Sequence, residues 1–237
     1  MVSIMTLERE VLISLLTLSR NGKATLDDIC ENTRTILDPV RRVVQEHVES
    51  GYLQLEEESV IVKNRVQLAV RAVELGADLE RVCDLLSWDE FEDISAEAFE
   101  ASSFRVLKHF RFKSSSRRWE VDLLGMKKPL ILSVDCKHWH KGWHRSSIRK
   151  IAESQVERTQ ALMEASDLLR GKMGISEWKK AVFVPVILSL IPGPFKFYEK
   201  TPIVPVLSIR NFLNDVFPYL NSLKSFSREY GPSIDEY

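Results

Sequence analysis

Long apolar runs are missing from this sequence. The longest, residues 181–192, is too short for a membrane span and is broken by Pro185. Cysteine is scarce: Cys30, Cys83 and Cys136 lie far apart and form no CxxC pair. That spacing excludes a disulfide framework and a zinc ribbon, and it suits a reducing cytoplasm. The opening residues, MVSIMTLERE, lack a basic start followed by an apolar core, so no signal peptide is expected. Net charge is also missing. The 33 Lys and Arg against 34 Asp and Glu leave −1, which excludes a whole-molecule field for a polyanion. No internal repeat or low-complexity stretch stands out.

What is present is an ordinary globular composition, 44% hydrophobic and 28% charged over 237 residues, enough for one large domain or two modest ones. The charge is unevenly placed. Residues 78–100 hold nine Asp and Glu against one Arg, whereas 105–118 hold six Lys and Arg and no acid. Residues 137–150 add five Lys and Arg and three His, again without an acid. An acidic helix followed by two basic segments suits a site that holds cations beside a polyanion; a solvated surface with chance clustering is the plainer reading.

Residues 6–20 space Leu7, Val11, Leu15 and Leu18 at helical intervals and stop at Asn21-Gly22. A second helix is expected over 25–32, with Thr25 as N-cap and Asp28 completing a capping box. A third is expected over 38–50, with Asp38 ahead of Pro39 and Gly51 just past the end. Two short alternating runs, YLQLEE and SVIVKN, follow. Three helices and a β-hairpin make a winged helix-turn-helix domain over residues 1–64. Its third helix offers Arg41, Arg42 and Gln45 to a DNA groove. Its wing carries Glu56, Glu57 and Glu58, which phosphate repels, so a protein partner is an equal expectation.

Residues 65–86 read as a helical connector broken at Gly76. From 87 to 237 the pattern becomes α/β, an α+β mixed sheet: a helix over 88–102, a strand over 104–112, and a hairpin of 118–124 and 130–137 around the turn GMKKP. A helix over 146–170, strands over 181–191 and 203–208, and a last helix over 209–224 complete it. The final SREYGPSIDEY reads as a loose polar tail.

The sharpest signal is WEVDLLGMKKPLILSVDCK, residues 119–137. Asp122 lies near the end of one predicted strand; Asp135 and Lys137 lie near the end of the next and share a face. Acids in otherwise apolar strands cost free energy unless something pairs with them, and a hard divalent cation would do so. Phosphodiester hydrolysis needs an activated water, a charge clamp on the phosphate and help for the leaving oxygen, all of which such an ion supplies. A bare D-x-K also fits a structural ion pair between Asp122 and Lys137 at the strand ends.

Asp122, about a dozen residues, then Asp135-Cys136-Lys137 resembles the PD-(D/E)xK nuclease superfamily. It is most similar to the branch of Holliday-junction resolvases and Mrr-like restriction endonucleases. There a preceding helix supplies a glutamate through a Phe-Glu step. Phe91-Glu92 stands in that place, three turns before Ser103-Phe104, where relatives commonly have Gly-Tyr. The resemblance implies a restriction-endonuclease-like core over 87–237, with Asp122, Asp135, the Cys136 carbonyl and Glu92 as ligands of Mg²⁺ (or Mn²⁺). Lys137 would position the attacking water, and Gln155 is the candidate for a polar residue that related nucleases place on the long helix. Departures are a Val121 where proline is common, an Asp where Glu is usual, and a competing Phe99-Glu100. Glu120 shares a face with Asp122, and an ideal hairpin about GMKKP would set Asp122 and Asp135 roughly three residues out of register.

Residues 138–145, HWHKGWHR, follow directly. Their histidines at 138, 140 and 144 match no common closed zinc site. Rings interleaved with cations (Lys141, Trp143, Arg145) suit stacking and phosphate contact, and Ser146 or Ser147 would cap the next helix at an amide end that favours phosphate. A solvated loop with tryptophans packed on the core is the competing reading. Arg117 and Arg118 extend the expected DNA surface. These readings converge on a metal-dependent DNA endonuclease of repair, recombination or restriction, with a homodimer needed to cut both strands. The alternative is a catalytically inactive DNA-binding or regulatory protein that reuses the same scaffold.

Overall fold

The computed structural model describes residues 4–21, 23–137, 144–190 and 192–231. The chain forms two compact units, Met1–Glu90 and Phe91–Tyr237.

The first unit runs α1 (Ile4–Leu18), β1 (Lys23–Thr25), α2 (Leu26–Thr33), α3 (Leu37–Glu49), β2 (Leu53–Glu56), β3 (Ser59–Val62), α4 (Arg65–Glu74) and α5 (Leu79–Cys83). Its strands form an antiparallel sheet in the order β1-β3-β2. The three expected helices and the hairpin are present; the short β1 between the first two helices, which joins the hairpin's sheet, was not expected. The capping box exists as read: Asp28 N–H donates to Thr25 Oγ1 at 3.1 Å, and Thr25 N–H donates to Asp28 Oδ2 at 3.2 Å. Helix α3 starts earlier than expected, with Ile36 as N-cap, so Asp38 and Pro39 lie in its first turn.

The expected connector is no connector. Leu68, Ala69 and Ala72 of α4 are buried. Arg65 donates to Leu16 O at 2.9 Å and Ser19 Oγ at 2.8 Å, and Arg71 Nε reaches Glu8 Oε1 at 3.0 Å. These bonds tie α4 to α1, so the helices after the wing belong to the first core. Gly76, at φ +84°, allows the break before α5 that the sequence marked.

The second unit follows α6 (Trp88–Ala101) with β4 (Arg105–Ser114), β5 (Arg117–Lys127), β6 (Leu130–Lys137), α7 (Arg145–Met173), β7 (Lys180–Ser189), β8 (Phe197–Tyr198), β9 (Thr201–Pro205), α8 (Ile209–Asp215) and β10 (Phe226–Glu229). The sheet order is β4-β5-β6-β7-β9-β8, with β10 also on β7. Strands β4, β5 and β6 form an antiparallel meander; β6, β7 and β9 are parallel. The fold is therefore α+β with a mixed sheet, and α7 is the crossover that parallel neighbours β6 and β7 require.

Three expectations change. The β5–β6 hairpin turns at Lys128-Pro129, with Lys127 opposite Leu130 and Leu123 opposite Val134. One more step sets Asp122 level with Asp135, so the expected offset of register vanishes. The last helix stops at Asp215, three residues before Pro218, since a residue preceding proline disfavours helical backbone. The start of the supposed loose tail belongs to β10, antiparallel to the first half of β7, and Tyr230 behind it is buried with its hydroxyl donating to Ser166 Oγ at 3.0 Å; the rest of that tail, 232–237, lies outside the described residues.

Helix α6 buries Phe91, Glu92, Ser95, Ala96, Ala98 and Phe99, the i, i+4, i+7 face of an amphipathic helix. Phe99 packs against the β5 backbone at Gly125, where a Cβ would come within 2.4 Å of the ring's edge. Glu92 is two turns up the same face, so this contact sets its height over the sheet. Gly125→Ala is therefore expected to destabilise the protein by about 1–3 kcal/mol through overpacking. Urea unfolding checks it: a lowered midpoint, partly recovered by adding Phe99→Leu, is the expected pattern, and an unchanged midpoint contradicts it.

Candidate metal centre

The site begins with a slip in strand alternation. Trp119 and Val121 of β5 share a core with Leu162 of α7, and so do Leu124 and Met126. The two pairs are out of step by one residue. Strand β4 slips at the same level, with Phe110 and Phe112 in that core and Leu107 packed against it. The registered pairs Lys108–Leu123 and Phe110–Val121 leave His109 and Asp122 facing each other at the slip, and His109 takes φ +49° there. Like a bulge, the slip re-aims a side chain. It turns Asp122 away from α7 and toward α6.

On the α6 side, Glu92, Asp122 and Cys136 come together. A carboxylate oxygen of each acid and the Cys136 Sγ all lie within 4.8 Å of one another. Glu92 is 2% exposed, whereas Glu100 of the competing Phe-Glu step is exposed to solvent. The Cys136 N–H donates to Asp122 Oδ2 at 2.8 Å. His109 reaches the group from β4, its Nε2 3.3 Å from Glu92 Oε2 and its Nδ1 3.5 Å from Glu120 Oε1. Burial pushes the Asp122 carboxyl above its usual range, with nearby Asp135 adding to the rise, while the Cys136 N–H, Lys137 and Arg158 act against it. Burial, then Asp122, Glu92 and Asp135, hold the Cys136 thiol well above its usual range, so it is neutral as it stands.

Asp135 and Lys137 project to the other face, as alternation requires of neighbours of Cys136. Lys137 Nζ is 2.7 Å from Asp135 Oδ2, and Arg158 of α7 is 2.6 Å from Asp135 Oδ1. The lysine thus pairs with Asp135 rather than Asp122. Gln155, fully buried, donates to the Ser133 carbonyl at 2.6 Å and accepts from Arg158 at 2.8 Å. Its groups are spent on β6 and Arg158, so it positions Arg158 rather than reaching a substrate. Arg158 and His109 are the residues sequence reasoning did not select. His109 was signalled by the three-residue step from Leu107 to Phe110, which breaks the period of two.

The two acids the motif would join thus stand level on neighbouring strands but on opposite faces. Asp135 is in contact with two cations, whereas Asp122 meets Glu92. The buried Glu92 carboxylate beside the half-buried Asp122 carboxylate fits a divalent cation, which would offset their negative charge. The oxygen donors would be Glu92 and Asp122. Cys136, whose carbonyl was the expected ligand, stands opposite Leu188 in the parallel ladder.

Of the expected DNA contacts, Lys141 and Trp143 lie outside the described residues, together with His138 and His140. Arg145 is exposed in the first turn of α7, which is preceded by His144 as N-cap, not by Ser146 or Ser147. Arg117 stacks on Trp119, 3.7 Å from the ring centroid, and pairs with Glu157 at 2.9 Å. Arg118 is exposed and stands directly across from Lys113. In the first unit, Arg42 is exposed, but Arg41 pairs with Glu58 of the hairpin turn at 2.9 Å, so one of the two arginines expected to face DNA is already neutralised.

No family model matches the sequence. An uncharacterized protein of Archaeoglobus fulgidus is 30% identical over 136 residues, 57% of this chain and 95% of that protein. The chain belongs to the family of that archaeal protein. A solved structure, protein VC1899 from Vibrio cholerae, aligns with 11% identity and a TM-score of 0.36 over 93% of this chain and 53% of its own. This chain therefore spans about half the length of that structure.

The raised Asp122 carboxyl has a consequence for stability. Its proton is held to higher pH in the folded than in the unfolded chain, so its contribution is full below the ordinary value of 3.8 and is lost as pH rises through the folded value. At neutral pH the ionised group burdens the fold. In chelator at pH 7, Asp122→Asn, which still accepts from Cys136 N–H, is expected to melt above the wild type. The advantage should fade at pH below 3.8. A variant that melts lower at pH 7 would show that the charged hydrogen bond outweighs burial.

Proposed function

We propose that the second unit is a metal-dependent endonuclease that hydrolyses DNA phosphodiester bonds. The observation that carries this reading is the meeting of buried Glu92 and half-buried Asp122 beside the end of β6, the strand that bears the Asp135–Lys137 pair. A bound divalent cation would neutralise charge on the scissile phosphate and acidify its water. Glu92 and Asp122 would hold that ion. Lys137, at the last position of β6 with 29% of its side chain exposed, would offer Nζ to a phosphate oxygen of the DNA from the other face of the sheet, and Asp135 keeps the ammonium in place. Lys113 and Arg118, exposed like charges side by side, repel each other in the free protein; a phosphate between them relieves that cost. Cutting both strands calls for two copies of the chain. Among the described residues no helix is long and apolar enough to cross a membrane, and three cysteines outside any disulfide suit a reducing cytoplasm.

A second reading, a DNA-binding scaffold without catalysis, is favoured by one observation: both Asp135 oxygens are already in contact with Lys137 and Arg158. Cleavage of labelled linear, flapped and four-way DNA with Mg²⁺ or Mn²⁺ separates the two. Metal-dependent cleavage that falls roughly 10²–10³-fold in Lys137→Ala, and is lost in Asp122→Asn, is the expected result. Intact DNA after prolonged incubation, with binding retained, would transfer the assignment to the scaffold.

A further inference from the structure

The donors gathered on the α6 side differ in kind from those of a magnesium site. Mg²⁺ takes oxygen and keeps several waters, so a thiol adds nothing to its binding. Cys136 nevertheless brings its sulfur to within 4.8 Å of carboxylate oxygens of Glu92 and Asp122. A fully buried cysteine is usually a small apolar filler, and its neighbours are then apolar as well. Here they are acids. His109 supplies an imidazole nitrogen 3.3 Å from the same Glu92.

The other ring nitrogen of His109 is an independent pointer. Nδ1 lies 3.5 Å from Glu120 Oε1, and Glu120 is itself held by Arg111 Nε at 2.8 Å. Metal-binding histidines repeatedly show this arrangement, one nitrogen toward the ion and the other on a carboxylate that fixes the ring. Strand β5 places Glu120 one alternation before Asp122, so both acids serve the face toward which the slip turns His109.

We propose that Glu92, Asp122, Cys136 and His109 form a site for a borderline divalent transition ion of the Zn²⁺ or Co²⁺ type, in preference to Mg²⁺. Such ions accept sulfur, nitrogen and oxygen together, commonly with four ligands. Sulfur ligation uses the thiolate, so the Cys136 proton passes to bulk water as the ion enters. The carboxylates that disfavour a lone thiolate there favour the cation. This proposal rests on the metal-binding half of the reading above and is indifferent to the substrate.

The test is optical titration of the chelator-stripped full chain with Co²⁺, whose thiolate complexes show a sulfur-to-metal charge-transfer band. The band is expected in the wild type and in Cys83→Ser, and absent in Cys136→Ser. His109→Ala, a change at a half-exposed side chain, should weaken Co²⁺ binding, and Glu120→Gln should weaken it roughly 10–100-fold. Equimolar Zn²⁺ should erase the spectrum, while a large excess of Mg²⁺ leaves it. A missing band, a band that survives in Cys136→Ser, or displacement of Co²⁺ by Mg²⁺ on equal terms overturns the proposal. So does unchanged affinity in His109→Ala, which keeps the test decisive should Cys136→Ser fail to fold. Cleavage with Mg²⁺ in a protein without the band would sink this proposal alone; the band without cleavage would sink only the nuclease.

Discussion

Strand alternation assigns every side chain of a sheet to one face, and the second unit breaks that rule at one level. Had β5 kept its period through Asp122, this acid would stand beside Asp135 beneath α7, two carboxylates in an apolar layer. The slip shared by β4 and β5 separates them. Asp135 finds Lys137 and Arg158, and Asp122 finds Glu92 and Cys136. The two groups still feel each other through the sheet, since Asp135 helps to raise Asp122 while Lys137 and Arg158 oppose it. The acid level with His109 thus decides what each face can do.

The α7 face is built for rigidity. Gln155 joins the β6 backbone to Arg158, and Arg158 joins helix to Asp135, so the crossover helix is bolted to the strand that carries the motif. Buried pairs of this kind add little net stability when intact, yet losing one partner costs about 3–5 kcal/mol because the other is left uncompensated. The opposite face is looser in composition: a half-exposed imidazole, a partly exposed Asp122 and a thiol. The division suits a fixed lysine on one side and an exchangeable ion on the other.

Much of this was legible in the residues. The capping box of α2, the helix-and-hairpin order of the first unit and the shared face of Asp135 and Lys137 follow from local chemistry and period alone. Glu92 could be named only through the resemblance, by its Phe-Glu step; its burial on the apolar face of α6 is what separates it from exposed Glu100. The slip was also written there, in the doubled leucine at Leu123-Leu124 and the three-residue step from Leu107 to Phe110, but period-two reading treats such steps as noise. Other features had no local signal. Helix α4 joins the first core through Arg65 and Arg71, long cations whose partners lie far back in the chain. Strand β10 is short and polar, and only β7 gives it a reason to be extended.

That strand has an implication for how the sheet is assembled. Along one edge β7 is covered by two unrelated pieces, β10 against residues 180–183 and β9 against 187–189. Pro185, which a continuous neighbour would penalise for its missing N–H, falls in the gap between them. While the polypeptide emerges from a ribosome, the first half of β7 leaves long before its cover, residues 226–229, has been made. Until then an apolar strand edge stands open to any other extended chain nearby. The nascent protein is thus most exposed to misassociation after its charge cluster has formed and before its last strand closes the sheet.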